Sequence, residues 1–246
     1  MTMTTLLALD TSTEACSVAL LHNGQITSLD EVASRTHTQR ILPMIDEILA
    51  QSGLRLNQVD ALVFGRGPGS FTGVRVGTGI VQGLALGADL PVIGISDLEA
   101  MAQQAFEQNQ ATQVMTAIDA RMNEVYFSQL THKAIQLANH EGVFSQWDVL
   151  LAEEVASPER VIQQLNDNTT LAKANEWQRV GTGWDAYAEF AQVGLGMNSE
   201  IILPSARFML SLALPKFLQQ QWQDAVSIEP IYLRNQVTWK KLPGRD

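Results

Sequence analysis

The stretch GRGPGSFTGVRVGTGIVQGLALG, residues 65–87, places eight glycines among 23 residues and decides how the surrounding chain can fold. A glycine inside a helix costs about 1 kcal/mol relative to alanine, so this density needs a physical reason. Successive backbone N–H groups before a helix can hold an anion such as phosphate. Glycines also let two backbone segments approach closely. The opening residues GRGPGSF are compatible with both explanations.

Two well-defined phosphate-binding motifs are absent from this stretch. A P-loop ends in Gly-Lys-Ser or Gly-Lys-Thr, but the pattern that starts at Gly67 reaches Phe-Thr-Gly, and residues 65–87 contain no lysine. A dinucleotide-binding loop needs a third glycine or an alanine, and that position holds Ser70 or Thr72. An anion site here would therefore have to be of another kind.

The second half of the stretch predicts a helix that begins near Gly73 and has a largely apolar surface. Arg75 is its only charged residue up to position 88, so the helix should be covered on most sides. The preceding helix, about residues 37–52, has an apolar face wider than one core contact needs. Either one domain covers both sides of these helices, or one side meets a second protein.

Within the glycine-rich helix we predict two different faces. The glycines are expected to form one close-packed side, at positions 73, 77, 83 and 87. The opposite side, which is the candidate partner side, carries Val74, Thr78, Gln82, Ala85 and Leu86.

The rest of the chain alternates predicted strands and helices. LLAL at residues 6–9 predicts a strand that is buried on both faces, and Asn23-Gly24 predicts a tight hairpin. Thr36 and Ser96, each followed three residues later by Gln or Glu, predict capped helix starts. The pattern is that of an α/β protein.

One segment repeats an earlier one. TAIDARMNEVYFSQL at residues 116–130 echoes LALDTSTEACSVALL at residues 7–21. Asp10 and Asp119 fall at matching strand ends. We therefore predict two lobes, with the N-terminal lobe at residues 1–109 and the C-terminal lobe at 110–246, the tail of the latter packing back on the first lobe.

Composition excludes several functional classes. The chain has 246 residues, 46% of them hydrophobic, and a net charge of -10, which disfavours autonomous binding to nucleic acid. Its one cysteine, Cys16, allows no internal disulfide. The N-terminus lacks a basic region and a long apolar run, and no stretch is apolar enough to cross a membrane. These features predict a cytoplasmic protein.

The usual catalytic constellations are missing from the sequence. The four histidines show no metal-binding spacing, and no G-x-S-x-G motif is present. A buried, structural Cys16 is expected rather than a nucleophile. Asp10 and Asp119 could hold a metal–nucleotide, although they could equally cap the turns that follow them. We predict no metal and no cofactor.

Six motifs in order carry a family resemblance: ALDTSTEACSVAL, HTQRILPMI, GRGPGSFTGVRVG…QGLALG, AIDARMNEVY, GTGW and EPIYLRN. Together they resemble the TsaB (YeaZ) family of bacterial tRNA threonylcarbamoyladenosine biosynthesis subunits, over nearly the whole chain. The resemblance implies an α/β fold of the actin-like ATPase class (ASKHA, ribonuclease H-like), with two duplicated lobes of mixed sheets flanked by helices.

The resemblance also implies a function. It indicates a non-catalytic scaffold that pairs with the catalytic subunit TsaD and, with TsaE, serves the transfer of threonylcarbamoyl to the adenosine 3′ of the anticodon in tRNAs reading codons that begin with A. Binding of tRNA would occur only through the complex, and the isolated chain is expected to form a homodimer. An ATP-binding enzyme of the same fold and a glycoprotease-like peptidase are the alternatives.

Catalytic relatives carry two metal-binding histidines where this chain has Met101 and Ala105, and neither side chain can replace an imidazole. In this family the two helices of the N-terminal lobe form the subunit interface. On that basis the glycine stretch is mainly a packing device whose second face meets a partner. The residues expected at the partner interface are His37, Arg40, Ile41, Met44, Ile45, Ile48, Arg66, Phe71, Arg75, Thr78, Gln82 and Leu86.

Overall fold

A computed structural model describes residues 4–33, 35–167 and 176–234. The first part of the chain contains, in order, β1 (Leu6–Asp10), β2 (Ala15–His22), β3 (Gln25–Val32), α1 (His37–Gln51), β4 (Ala61–Gly65), α2 (Phe71–Ala88), β5 (Val92–Ile95) and α3 (Asp97–Asn109). The second part contains β6 (Gln113–Arg121), β7 (Glu124–Ile135), β8 (Phe144–Ala156), α4 (Pro158–Asp167), β9 (Gln178–Val180), α5 (Gly183–Ala186), β10 (Met197–Asn198) and α6 (Ala206–Leu218).

The first sheet has the strand order β3-β2-β1-β4-β5, with β1, β2 and β3 antiparallel and β1, β4 and β5 parallel. All five residues of β1 are buried, as their continuous apolar run predicts. The hairpin between β2 and β3 turns at Asn23 and Gly24, whose φ angles of 53° and 74° are those of a type I′ turn. The predicted hairpin is therefore confirmed.

The second sheet repeats this topology. Its order, β10-β9-β6-β7-β8, is the same sequence of strands read from the other edge, with β6, β7 and β8 antiparallel and β6, β9 and β10 parallel. Asp10 ends β1, and Asp119 lies near the end of β6, its counterpart. The predicted α/β class, with duplicated mixed sheets flanked by helices, is confirmed.

The last helix of each half packs on the sheet of the other half. Helix α6 packs on the first sheet, whereas α3 packs on the second sheet, and the two helices also pack against each other. Together they form one shared core that includes Leu6, Met101 and Met209. Helices α1 and α2 cover the outer face of the first sheet. The lobe boundary predicted at 109/110 falls between α3 and β6 and stays a prediction.

Helix starts agree with the sequence at some positions and not at others. Ser96 accepts a hydrogen bond from the N–H of Glu99, as a cap should. Helix α1 begins directly after Thr36 as predicted, but the predicted side-chain cap is absent, and the Thr36 hydroxyl donates to the carbonyl of Ala33. Helix α2 begins at Phe71 rather than at Gly73, with Ser70 as its cap. None of the helices in the described ranges is long and apolar enough to cross a bilayer.

Candidate partner-binding site and glycine loop

The loop that precedes α2 uses its backbone N–H groups within the chain. The N–H of Gly67 donates to Asp97 Oδ2 at 2.7 Å, and the N–H of Ser70 donates to the carbonyl of Ser12 at 2.6 Å. The N–H of Arg66 donates to the carbonyl of Ile95 at 2.9 Å. These donors are already paired, so they are not free to bind a phosphate.

The glycines from 65 to 77 permit a close approach of the β1–β2 turn. A Cβ atom at Gly69 or Gly73 would collide with backbone carbonyls of that turn, and one at Gly77 would lie 2.9 Å from Thr11 Oγ1. At Gly65 the added atom would collide with the carboxylates of Asp10 and Asp97. Of the two explanations that the sequence left open for this stretch, the close approach of backbone segments accounts for its first part.

Two carboxyl groups face each other beside Gly65. Asp10 and Asp97 are both buried, and burial raises the pKa of each; the charge of Asp10 raises the pKa of Asp97 further. Two buried carboxyl groups in this arrangement do not both ionise readily, so we expect the pair to share a proton. Asp10 Oδ1 also accepts the N–H of Ser12 at 3.0 Å, which caps the turn.

Asp119 plays the matching structural role in the second half. Its Oδ1 accepts the N–H of Arg121 at 2.8 Å and the hydroxyl of Tyr187 at 2.8 Å, and its Oδ2 pairs with the Arg121 guanidinium at 2.8 Å. The geometry favours turn capping for both aspartates. In the described part of the chain, no group of three or more His, Cys, Asp or Glu side chains is arranged to hold a metal ion.

The other candidate chemical groups are buried in the core. Met101 and Ala105 are completely buried in α3, and neither is a ligand for a hard cation. Cys16 is buried against the sulfur of Met44. Burial raises the pKa of its thiol to about 12, so the nucleophilic thiolate is suppressed and the expected structural role is confirmed.

The residues predicted at the partner interface divide into two groups. Five are buried inside the chain, so their expected exposure to a partner is wrong: Ile41, Met44, Ile45, Ile48 and Thr78. The wide apolar face of α1 is explained by this chain itself, because α1 packs on β2, β3 and α2 at once. The others are exposed or half-buried: His37, Arg40, Arg66, Phe71, Arg75, Gln82 and Leu86.

Four members of the accessible group already have partners within the chain, among them Arg75, whose Nη1 donates to the carbonyl of Phe71 at 3.0 Å. Arg40 pairs with Glu31 at 2.7 Å, and Gln82 donates to the carbonyl of Ala225 at 2.9 Å. Arg66 forms a two-pronged ion pair with Glu153 across the two halves, at 3.1 Å for each contact. His37, Phe71 and Leu86 therefore remain candidates for contact with another protein, together with the N–H groups of Arg75 that do not bind Phe71.

The two faces predicted for α2 are also wrong. Val74, Thr78 and Ala85 are buried, whereas Gly83 and Gly87 are exposed. The sheet buries the side with the branched and small apolar side chains, and the β1–β2 turn buries only the first two of the four glycines. The exposed face of α2 is formed by Thr72, Arg75, Gly79, Gly83 and Leu86.

The sequence predicted that the tail packs back on the first lobe, but it did not identify the contacts of the C-terminal strap, which we define as residues 228–234. The N–H of Ile231 donates to the carbonyl of Arg66 at 2.8 Å. Arg234 binds Glu124 and the carbonyl of Ala120 on the second half. The EPIYLRN motif was the available signal, but it carries no local pattern that reveals a long-range contact. Its last residue, Asn235, lies outside the described residues.

Comparisons with known proteins agree over nearly the whole chain. A family model described as TsaD, tRNA N6-adenosine threonylcarbamoyltransferase, matches residues 26–237. A tRNA threonylcarbamoyladenosine biosynthesis protein TsaB from Haemophilus influenzae is 62% identical, over 98% of this chain and 98% of its own length. The protein of the same name from Escherichia coli is 46% identical, over 98% of this chain and 99% of its own.

A solved structure extends the agreement to three dimensions. YeaZ from Pseudomonas aeruginosa matches 94% of this chain and 100% of its own, with a TM-score of 0.80 at 42% identity. Because the sequence and structural matches span the same two halves, the chain belongs to the TsaB (YeaZ) family of tRNA threonylcarbamoyladenosine biosynthesis proteins.

Proposed function

We propose that this chain is a non-catalytic subunit in tRNA threonylcarbamoyladenosine biosynthesis. It pairs with a TsaD-family transferase through the exposed face of α2 and the start of α1, and acts together with a TsaE component. The names of the relatives, and the match of the transferase-family model to residues 26–237, support this role. A tRNA-modifying role also agrees with the cytoplasmic location expected from composition.

The observation that carries the proposal is the row of exposed glycines on α2. Gly79, Gly83 and Gly87 are four residues apart, and apart from their chain neighbours and the nearby backbone of α2 itself, no atom of the described residues lies within 4 Å of a Cβ built at any of them. Packing within the chain therefore does not explain why these positions hold glycine, which costs a helix about 1 kcal/mol per residue relative to alanine. Small residues at this spacing let a second helix approach closely, as in other tightly packed helix pairs.

The chemistry of the site supports a scaffold rather than an enzyme. The loop N–H groups of Arg66, Gly67 and Ser70 are paired internally, and the Cys16 thiol is buried. Paired N–H groups do not favour an ATP-hydrolysing enzyme, and a buried thiol does not favour a peptidase. With a net charge of -10, we expect tRNA to bind through the complex, where a partner supplies the phosphate contacts. Without that partner, the exposed face of α2 would pair with a second copy.

Leu86→Asp tests the proposal. Leu86 is 58% exposed, so the variant should fold normally, but pairing would bury an unpaired charge. We expect the affinity for the organism's own TsaD-family protein to fall at least about a hundredfold, measured by sedimentation or calorimetry. Reconstituted tRNA modification should fall with it.

The control is Val143→Asp, which places the same charge at a 66%-exposed valine in the loop between β7 and β8 of the second half. Full pairing and modification by Leu86→Asp would contradict the proposed interface. Failure of the unaltered chain to stimulate modification with its partners would contradict the proposed function itself.

A further inference from the structure

The C-terminal strap is anchored to both halves of the molecule. On the first half, Ile231 N–H donates to the carbonyl of Arg66, and Ile228 is buried in the core beneath α2. On the second half, Arg234 Nε donates to Glu124 Oε2 at 3.0 Å and its Nη2 donates to the carbonyl of Ala120 at 3.1 Å. The two residues between these anchors, Tyr232 and Leu233, are therefore held in place.

Tyr232 extends the exposed face of α2. The Arg75 guanidinium lies 3.2 Å from the centre of the Phe71 ring and 4.7 Å from the centre of the Tyr232 ring. The two rings are 6.1 Å apart and remain 61% and 44% exposed, respectively. Cation–π contacts of this kind join a strap residue to the first turns of α2.

A cavity of about 340 Å³ opens between α2 and the strap. Val74 and Tyr126 contribute to its lining, together with Phe71 and the strap residues from Ile231 to Arg234. The cavity has room for a large side chain, and aromatic and arginine residues at its edge are the types that dominate binding energy at protein interfaces. It lies at the N-terminal end of α2, and Arg75, which contributes to its lining, is one helical turn before Gly79.

We propose that the strap is the second element of the partner-binding surface, and that the cavity beside Tyr232 receives an apolar side chain of the partner subunit. Arg75 is the only charged residue of α2, and its Nη1 donates to the carbonyl of Phe71. We assign a carboxylate of the partner to its remaining N–H groups, next to that apolar side chain. This inference rests on the proposed function and names the chemistry that the partner presents.

The proposal predicts that Tyr232→Ala weakens pairing at least tenfold, measured by calorimetry with the TsaD-family partner. Tyr232 is half exposed, so the thermal melting temperature of the isolated variant should change little. The control is Trp222→Ala, which removes another exposed aromatic residue of the C-terminal segment that stacks on Phe217 and not on α2. This control should pair normally.

Two further variants test the shared cavity and the charge. If Phe71 and Tyr232 bind one partner side chain, the double alanine variant should lose less affinity than the product of the two single losses. Arg75→Gln should reduce the dependence of pairing on salt concentration, because it removes the proposed ion pair.

The outcomes separate the two proposals. If the unaltered chain does not pair with the transferase at all, the proposed function is overturned, and the role of the strap with it. If the unaltered chain pairs and Tyr232→Ala pairs equally well, the role of the strap alone is overturned. Unaltered salt dependence in Arg75→Gln would refute the assigned carboxylate, and strictly multiplicative losses in the double variant would refute the shared cavity.

Discussion

At the scale of single residues, Gly65 lies beside two aspartate side chains that approach each other. With no Cβ at this position, the carboxyl groups of Asp10 and Asp97 can both approach the end of β4. Asp97 also accepts the Gly67 N–H and so ties the glycine loop to the start of α3. A proton held by the pair removes the repulsion that two buried negative charges would cause.

This pair should make stability depend on pH. Because burial and the charge of Asp10 raise the pKa of Asp97 in the folded state, the folded chain binds this proton more readily than the unfolded chain does. The stability that the group contributes is complete below its unfolded pKa of about 4, and is lost as pH rises toward the folded pKa.

Asp97→Asn should remove that pH dependence. The amide can donate to Asp10 and accept from the Gly67 N–H, while carrying no titrating proton. Above about pH 4, the free energy of unfolding should fall less steeply with pH in the variant, by up to about 1.4 kcal/mol per pH unit. Urea denaturation at a series of pH values measures the slope.

Asp46→Asn is the matched control, because it neutralises an exposed carboxylate on α1. It should leave the slope unchanged. Identical pH profiles for Asp97→Asn and the unaltered chain would show that the pair holds no proton in the folded state.

At the scale of elements, α2 presents two kinds of glycine. Gly73 and Gly77 face the β1–β2 turn, where a side chain has no room, whereas Gly79, Gly83 and Gly87 face open space. The first pair serves the fold of this chain. The second set, on our proposal, serves the approach of a partner helix.

A pair of leucine substitutions separates these roles. Gly77→Leu should destabilise the chain by several kcal/mol, because its Cβ alone would come within 2.9 Å of Thr11 Oγ1. Gly83→Leu should leave the melting temperature unchanged or slightly raised, since leucine is the better helix former. It should nevertheless weaken pairing at least tenfold by blocking close helix contact.

This expectation for Gly83 reverses the one that the sequence pattern favours, in which all four glycines pack internally. Thermal melts and sedimentation with the partner measure both effects. A large drop in melting temperature for Gly83→Leu would show that this face is covered within the chain, and normal pairing would show that the partner does not approach it.

At the scale of the whole molecule, the exchange of α3 and α6 makes the halves interdependent. The inner face of the first sheet is covered by α6, which comes from the second half. A fragment of residues 1–109 would leave that apolar face in water. The ion pairs between Arg66 and Glu153 and between Arg121 and Glu14 add further links between the halves.

We therefore expect residues 1–109 expressed alone to lack a cooperative unfolding transition, and the intact chain to unfold in a single one. Circular dichroism and calorimetry during thermal denaturation test both expectations, with the intact chain as the reference. A sharp transition for the fragment would mean that the first lobe folds without α6, and that the exchanged helix contributes little to its core.

The sequence alone determined the features that follow local rules. LLAL at residues 6–9 predicts a buried strand because all four residues are apolar. Asn23-Gly24 predicts a tight turn because few other residues tolerate positive φ angles. The Ser96 cap and the repeated strand order are also predictable from short patterns. The helix start at Thr36 was predicted, but its side-chain cap does not form, because the Thr36 backbone (φ -115°, ψ 8°) departs from the extended conformation that a capping residue usually adopts.

Only the tertiary structure decided which surfaces are covered. The apolar residues of α1 are buried by strands and a helix of the same chain, and α2 exposes glycines that its periodicity assigns to the core. The strap binds at Arg66 and Glu124, which are distant from it in sequence. Periodicity shows that a helix has an apolar side, but what lies against that side depends on contacts between segments far apart in the chain, which no local pattern encodes.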